Sequence, residues 1–375
     1  MTSQDGATAA VRKVCSTGCS IKRFLAFAAA LTALFAAPAC AQSQRLPELG
    51  ANISSVTVSG LSSGAYMASQ FHIAHSSIVK GSGIVAGGPY GCARTPGSQL
   101  NPFWFQQVLA WNLQRALTSC MDDGWWFYST VPSPSYLLEY AFGLSSKGRI
   151  DPISNLTAEK VYLFTSSEDE TVQSGVVEAA REFYRLAGIP DASIDFEESD
   201  KAAHAFITED QGLACGTAGP PFLNDCDNDQ AGEILNWLAG PLEARTVPDE
   251  AGFIRFSQGE FIHDPGQASM GDEGMAYIPE RCRTQGGCQV HIVFHGCRQG
   301  LEQPEIGETF VRQSGYAGWA ESNAIIILFP QATNSTLNPK GCWDWWGYTG
   351  PDFLTKEAPQ MRAVEAMLER LGHGQ

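Results

Sequence analysis

The pentapeptide Gly60-Leu61-Ser62-Ser63-Gly64 is the feature that most narrows what this 375-residue chain can fold into. It follows the strand-like segment Val56-Thr57-Val58 and precedes a segment, Ser63–His75, with helical spacing of apolar residues. The pattern G-x-S-x-G between a strand and a helix places a serine on a sharp turn with its hydroxyl exposed. Glycines on either side leave room for the strained backbone and for close packing of the helix on the strand. We therefore predict Ser62 as a nucleophile, with Ser63 as the alternative and a turn without chemistry as the plainer interpretation.

Strand-like and helix-like segments alternate along the rest of the chain, which predicts an α/β fold built on one sheet. The predicted strands are Ile84–Ala86, Val161–Phe164, Ser193–Phe196, Gly252–Phe256, Met275–Ile278, Gln289–Phe294 and Ile325–Phe329. The predicted helices are Val176–Ala187, Ala231–Leu238 and Met361–Leu371. Between Gly97 and Asn155 the chain is rich in aromatic residues and lacks clean periodicity, so we expect an insertion that lines or covers the site.

A serine at its ordinary pKa is a weak nucleophile and needs a base oriented by an acid. In α/β-hydrolases the order along the chain is serine, acid, histidine, each at the carboxyl end of a strand. Asp169 follows the strand Val161–Phe164, and His204 follows Ser193–Phe196, so we predict the triad Ser62, Asp169 and His204. The sequence leaves open other acids and another base: Glu168, Glu170, Asp151 and His263.

Stabilising the developing negative charge requires two N–H donors. We predict the N–H groups of Ser63 and Cys297, since Cys297 belongs to a His295-Gly296-Cys297 turn after a central strand. That turn follows the triad along the chain, whereas in α/β-hydrolases it ordinarily precedes the nucleophile. Joining Leu371 to Ile53 would restore the usual order, so we predict a circularly permuted α/β-hydrolase fold in a single domain.

The segment 1–41 resembles a secretory leader. Lys22 and Arg23 precede the apolar run Phe24–Ala39, and Ala39-Cys40-Ala41 offers a cleavage site. The run is shorter than the roughly 20 residues of a membrane-spanning helix. We therefore predict a signal peptide over 1–41, a catalytic domain over 42–375 and a secreted protein without a membrane span. Cleavage would shift the formal net charge from −16 to −19, which argues against nucleic acid as a partner.

The remaining cysteines are even in number, as expected for disulfides in an exported chain. They are Cys92, Cys120, Cys215, Cys226, Cys282, Cys288, Cys297 and Cys342. Short spacing favours Cys215–Cys226 and Cys282–Cys288; Cys92–Cys120 with Cys297–Cys342 is one way to pair the other four. No metal-binding spacing accompanies them, and we interpret His72 and His75 as structural residues. We expect neither metal nor cofactor.

Three segments together give the chain a specific resemblance. They are Gly60-Leu61-Ser62-Ser63-Gly64-Ala65-Tyr66-Met67-Ala68, His295-Gly296-Cys297-Arg298-Gln299 and Gly341-Cys342-Trp343-Asp344-Trp345-Trp346. Over roughly Ile53–Leu371 the chain resembles the permuted catalytic domain of poly(3-hydroxybutyrate) depolymerases. The resemblance implies the same triad and the same two N–H donors. It also implies that Trp343, Trp345 and Trp346 line a crevice for polyester, although a core position is the alternative for such a cluster.

We therefore expect a monomeric serine esterase that hydrolyses poly(3-hydroxybutyrate) or a related short-chain polyhydroxyalkanoate to oligomers and monomers through an acyl-enzyme. One alternative function is an esterase that acts on feruloyl or acetyl esters with the same triad. An alternative of another class is a polymer-binding protein without activity, which would use only the exposed aromatic residues.

Overall fold

The computed structural model describes residues 44–96, 105–122 and 130–374. The predicted leader therefore lies outside the described residues. The strands are β1 (Asn52–Leu61), β2 (Val79–Val85), β3 (Lys160–Ser166), β4 (Ile194–Ser199), β5 (Phe206–Thr208), β6 (Leu213–Ala214), β7 (Leu223–Asp225), β8 (Phe253–Ser257), β9 (Glu273–Tyr277), β10 (Gln289–Phe294) and β11 (Ile325–Phe329). The helices are α1 (Ser63–Ala74), α2 (Phe105–Leu117), α3 (Pro134–Ser145), α4 (Ser174–Leu186), α5 (Gln230–Ala239), α6 (Pro265–Ala268), α7 (Glu280–Gln285), α8 (Thr309–Gln313), α9 (Tyr316–Asn323) and α10 (Pro359–Gly372).

Eight strands form one sheet in the order β4-β3-β2-β1-β10-β11-β9-β8. The six strands from β4 to β11 run parallel, and β9 and β8 are antiparallel to their neighbours. The chain enters the sheet at its centre and moves to the β4 edge. It then crosses to the opposite edge at β8 and works back towards the centre. This is the strand order of an α/β-hydrolase whose first half has been moved to the carboxyl end, so the predicted permuted fold is confirmed.

The two ends of the domain meet beside the central strand. The backbone N–H groups of Leu49 and Ala51 both donate to Leu371 O, at 3.2 and 2.9 Å. The chain that leads into β1 therefore lies directly against the end of α10. This proximity is the condition under which a permuted order of the same elements forms the same sheet.

The central strands are apolar because helices cover both faces of a parallel sheet. All five residues of β11 are buried, and so are five of the six residues of β10. The edge strand β8 alternates between half-buried and buried positions. The apolar face of α4 packs into the core through residues spaced by three and four: Val176, Val177, Ala180, Phe183 and Tyr184.

In its described residues, the insertion between β2 and β3 contains the helices α2 and α3. Residues 97–104 and 123–129 of the predicted Gly97–Asn155 insertion lie outside the described residues. Three apolar side chains of α2 are unusually exposed: Trp111, Leu113 and Leu117.

The described part of the chain forms four disulfides: Cys92–Cys120, Cys215–Cys226, Cys282–Cys288 and Cys297–Cys342. The two pairs favoured by short spacing and the pairing considered for the other four are thus confirmed. Across the described ranges, no helix is both long and apolar enough to cross a bilayer.

Candidate active site

Ser62 lies at the turn between β1 and α1 with φ 57° and ψ −120°, a backbone conformation that L-residues rarely adopt. Its N–H donates to Val85 O at 2.9 Å, which fixes the turn to β2. The flanking glycines are required by space: a Cβ on Gly60 would lie 2.3 Å from Gly64 O, and one on Gly64 would lie 2.1 Å from Phe294 O. The turn therefore holds the half-buried Ser62 side chain at the carboxyl edge of the sheet.

Asp169 and His204 come together at the same edge. His204 Nδ1–H donates to Asp169 Oδ2 at 2.7 Å, and the other carboxylate oxygen accepts from Thr171 N–H and Val172 N–H at 2.8 and 2.9 Å. Both side chains are largely buried. Since the carboxylate accepts the proton on Nδ1, the unprotonated Nε2 is left as the basic atom. His204 and Ser62 line the same cavity.

No hydrogen bond within the described residues joins Ser62 Oγ to His204 Nε2. Catalytic hydrogen bonds are often long without substrate and shorten once it binds. The site thus consists of a hydrogen-bonded acid–base pair and a serine that lines the same cavity as the base.

The alternative acids and base lie elsewhere. Glu168 and Glu170 point to solvent on either side of the buried Asp169. Asp151 accepts from Lys356 Nζ at 2.6 Å. His263 is exposed and lines other cavities.

The two predicted N–H donors belong to Ser63 and Cys297. Ser63 is the first residue of α1, so its N–H has no acceptor within the helix. Cys297 lines the same cavity as Ser62, in the turn after β10. This turn is braced, because His295 Nδ1–H donates to Gly296 O at 2.7 Å and Gly296 N–H donates to Gln299 Oε1 at 2.8 Å. The first of these bonds holds the peptide unit that carries the Cys297 N–H.

Two buried histidines beneath the site are neutral. Burial lowers the pKa of His295 to about 4 and that of His291 to about 3. His295 Nε2 accepts from Ala332 N–H at 3.1 Å, and the ring nitrogens of His291 bond to Thr57 Oγ1 and Ser59 Oγ at 2.7 and 2.8 Å. His291 thus joins β10 to β1, and His295 joins the turn after β10 to the segment after β11, without carrying charge.

We expect the free energy of unfolding to fall as the pH drops below 6.5. An unfolded histidine binds a proton near pH 6.5, whereas His295 and His291 in the fold resist it until about pH 4 and 3. Their contribution is thus complete above pH 6.5 and is lost progressively below it, by about 2 kcal/mol for each histidine at pH 5. Urea unfolding at pH 7 and pH 5 measures the loss, and His291→Gln should reduce it. An unfolding free energy that is flat between these two pH values would contradict the prediction.

The cavity at the site has a volume of about 410 Å³. Tyr66, Trp345 and Trp346 form an aromatic wall, in which the Tyr66 and Trp345 rings stack at 4.1 Å. Further apolar side chains of the lining include Leu113, Ala116, Leu117, Met121, Phe222 and Leu337. Four of these belong to the insertion, so its predicted place over the site agrees with the structure. A larger cavity of about 770 Å³ lies elsewhere and contains none of the triad residues.

Trp343 differs from the expectation that it lines the crevice. Its side chain is fully buried and is absent from the cavity lining. It packs edge-on against Phe294 at 4.9 Å between ring centroids and lies near His295. The backbone N–H of Trp343 donates to Ser63 Oγ at 3.3 Å. The expectation is wrong for this residue because its side chain points beneath the nucleophile turn, whereas Trp345 and Trp346 point towards the cavity.

Asp344 organises the loop that carries the aromatic wall. Its carboxylate is fully buried and accepts from a hydroxyl and four backbone N–H groups, those of Trp346, Gly347, Tyr348 and Thr349. Burial raises the pKa of this carboxyl, and the bonds from the loop oppose the rise. Asp344 belongs to the sequence motif, but its role is evident only from the hydrogen bonds within the loop.

We expect Asp344→Asn to destabilise the protein by about 2 kcal/mol and to raise KM more than it lowers kcat. The amide nitrogen of asparagine cannot accept the two bonds from Thr349, so buried donors are left unpaired. Thermal unfolding and steady-state kinetics on a soluble ester measure the two effects. A variant with unchanged stability and KM would show that the loop does not depend on this carboxylate.

Several site residues were not singled out from the sequence. They are Tyr66, Met121, Phe222, Leu337, Asp344 and Gln299. Tyr66 and Gln299 lie inside two of the segments that gave the family resemblance, so their closeness to the predicted catalytic residues in sequence could have identified them. Phe222 and Leu337 reach the cavity only through the tertiary fold.

Within the described residues, no three of the side chains that commonly bind metals come together. Of the two histidines interpreted as structural, His72 bonds through Nε2 to the buried Glu159 at 2.7 Å. His75 pairs more loosely with Glu365 at 3.4 Å.

No model of a known protein family matches the chain. The chain is 39% identical over 335 residues to a poly(3-hydroxybutyrate) depolymerase of Delftia acidovorans, a match that covers 88% of this chain and 62% of that protein. The chain thus spans less than two thirds of the length of that relative. It is 32% identical over 362 residues to a polyhydroxybutyrate depolymerase of Talaromyces funiculosus, with 92% and 96% of the two proteins covered.

Two solved structures are similar over 88% of this chain and 100% of theirs. The PHB depolymerase from Penicillium funiculosum matches with a TM-score of 0.74 and 29% identity. A serine-to-alanine variant of PHB depolymerase in complex with an R3HB trimer matches with a TM-score of 0.73 and 29% identity.

Proposed function

The chain belongs to the polyhydroxybutyrate depolymerase family, and from that premise we propose that it hydrolyses the ester bonds of poly(3-hydroxybutyrate) or a related short-chain polyhydroxyalkanoate. The observation that carries the proposal is that His204, which donates to Asp169, lines the same mainly apolar cavity as Ser62 on its strained turn. The products are oligomers and monomers of the hydroxy acid.

The reaction proceeds in two steps through an acyl-enzyme. Ser62 Oγ attacks the ester carbonyl carbon while His204 Nε2 takes the hydroxyl proton, and Asp169 keeps the imidazole oriented and stabilises its positive charge. The N–H groups of Ser63 and Cys297 hold the oxyanion. His204 then gives the proton to the departing alcohol oxygen as the carbon–oxygen bond breaks. Water, activated by the same histidine, releases the acid and restores Ser62.

The cavity suits a neutral aliphatic polyester. Its walls are mainly apolar and aromatic, as expected for methyl and methylene groups of the repeat unit. Trp345 Nε1 is buried and has no hydrogen-bond partner among the described residues. An indole N–H is a donor only, and an ester oxygen of the substrate would satisfy it.

The proposal extends to where the protein acts. Segment 1–41 serves as a cleaved secretory signal, and 42–375 acts as a monomeric catalytic domain outside the cytoplasm. Four disulfides support this, since such bonds persist in oxidising compartments.

Release of 3-hydroxybutyrate from amorphous poly(3-hydroxybutyrate) granules, with and without a serine-directed inhibitor, tests the proposal. Inhibitor-sensitive release is the expected result. Labelled protein that releases nothing from granules or oligomers but cleaves feruloyl or acetyl esters would replace the substrate and keep the mechanism. Protein that binds granules but is neither labelled nor active would contradict the enzymatic assignment.

A further inference from the structure

The charges that line the site cavity are of one sign. Arg298 and Lys340 carry the only permanent charges among the described lining residues, and none of those residues is Asp or Glu. The chain as a whole has 40 acidic and 24 basic residues. The cavity lining is therefore positively charged, whereas the chain as a whole has an excess of acidic residues.

Neither cation is paired. Within the described residues, Arg298 and Lys340 have no carboxylate within 4.0 Å and make no side-chain hydrogen bond. Other arginines of this acidic chain do find partners: Arg255, for example, bonds to Glu273 at 2.8 Å and to Glu308 at 2.7 Å. Arg298 and Lys340 are exposed, so both present free N–H donors at the cavity.

The backbone joins the two cationic residues next to Cys297, the proposed oxyanion donor. Arg298 directly follows Cys297 and has a left-handed φ of 61°. Its N–H donates to Lys340 O at 2.7 Å. The Cys297–Cys342 disulfide joins the same two segments within two residues of that bond. A backbone hydrogen bond and a disulfide thus hold the two segments that carry Arg298 and Lys340 together at the cavity.

We propose that Arg298 and Lys340 bind the free carboxylate end of a hydroxyalkanoate oligomer. This inference rests on the proposed function, since it names which part of the polyester that site recognises. Each polyester chain has one hydroxyl end and one carboxylate end, and only the latter is anionic. Arginine presents a planar fork of donors that matches a carboxylate, and lysine adds a second positive charge.

The direction of the polyester fixes what this contact does to the reaction. The half on the acyl side of a scissile ester carries the hydroxyl end, and the half on the alcohol side carries the carboxylate end. Binding the carboxylate therefore places the terminal piece as the leaving group. Ser62 Oγ bonds to the carbonyl carbon, the ester carbon–oxygen bond breaks, and the departing hydroxy acid takes the proton from His204. The enzyme consequently favours cleavage near the carboxyl terminus of soluble oligomers.

The test compares the (R)-3-hydroxybutyrate trimer as free acid with its methyl ester, which differs only in the terminal charge. We expect the wild type to have a kcat/KM about tenfold higher for the acid, the order of one charge-assisted contact. The double variant Arg298→Gln with Lys340→Gln should bring the ratio close to one. Raising the NaCl concentration should lower the wild-type ratio in the same direction.

Arg281→Gln with Lys147→Gln is the matched control, because both residues are exposed cations outside the cavity. This control should keep the wild-type ratio. A wild-type ratio of one or less, or an unchanged ratio in the Arg298 and Lys340 double variant, would overturn the inference while trimer hydrolysis still upholds the proposed function. Failure to cleave either trimer, the polymer or the dimer would overturn both.

Discussion

Ser62→Ala is expected to lower kcat for every ester substrate by about 10⁵-fold or more, because no other group can form the acyl-enzyme. The loss should appear equally on oligomers, amorphous polymer and small chromogenic esters. Labelling by a fluorophosphonate probe should vanish with it. The fold should persist, since alanine keeps the Cβ of serine and the turn is held by Ser62 N–H and the flanking glycines.

Ser63→Ala is the matched control, since it removes the hydroxyl of the alternative nucleophile. The Ser63 Oγ accepts from Trp343 N–H, and the proposed catalytic contribution of this residue is its backbone N–H. This variant should still be labelled by the probe and should retain kcat within about tenfold. A folded Ser62→Ala protein with wild-type turnover would sink the assignment of the nucleophile.

The central part of the fold could be predicted from sequence because its signals are local. Gln289–Phe294 and Ile325–Phe329 match β10 and β11 in full, since strands buried on both faces are rich in apolar, β-branched residues. The permutation followed from the order of two motifs, the serine turn and the later His295-Gly296-Cys297 turn. Neither inference required knowledge of tertiary contacts.

Other parts of the fold have no such local signal. The small sheet of β5, β6 and β7 consists of strands of two or three residues, which are too short to show a period of two. Helices α8 and α9 were likewise not predicted, and each spans at most about two turns.

The aromatic motif shows the same limit at the level of single side chains. Trp343 and Trp345 are two residues apart, yet one lies in the core and the other lines the cavity. The bonds from the following loop to Asp344 fix the path of the chain after Trp345. Composition and spacing identify such a cluster, but only the path of the loop decides which ring meets substrate.

Asp169→Asn is expected to lower kcat by about 10⁴-fold with little change in KM, because an amide in place of the carboxylate favours the wrong tautomer of His204. The shape of the side chain is kept, and its Oδ1 bonds from the loop N–H groups remain possible. Glu168→Gln and Glu170→Gln remove the neighbouring charges, which are exposed and point away, and should change kcat less than twofold. Steady-state kinetics on a soluble ester measures kcat for each of these variants and distinguishes them. Loss of activity in Glu168→Gln or Glu170→Gln, with Asp169→Asn still active, would transfer the role of the acid to the adjacent glutamate.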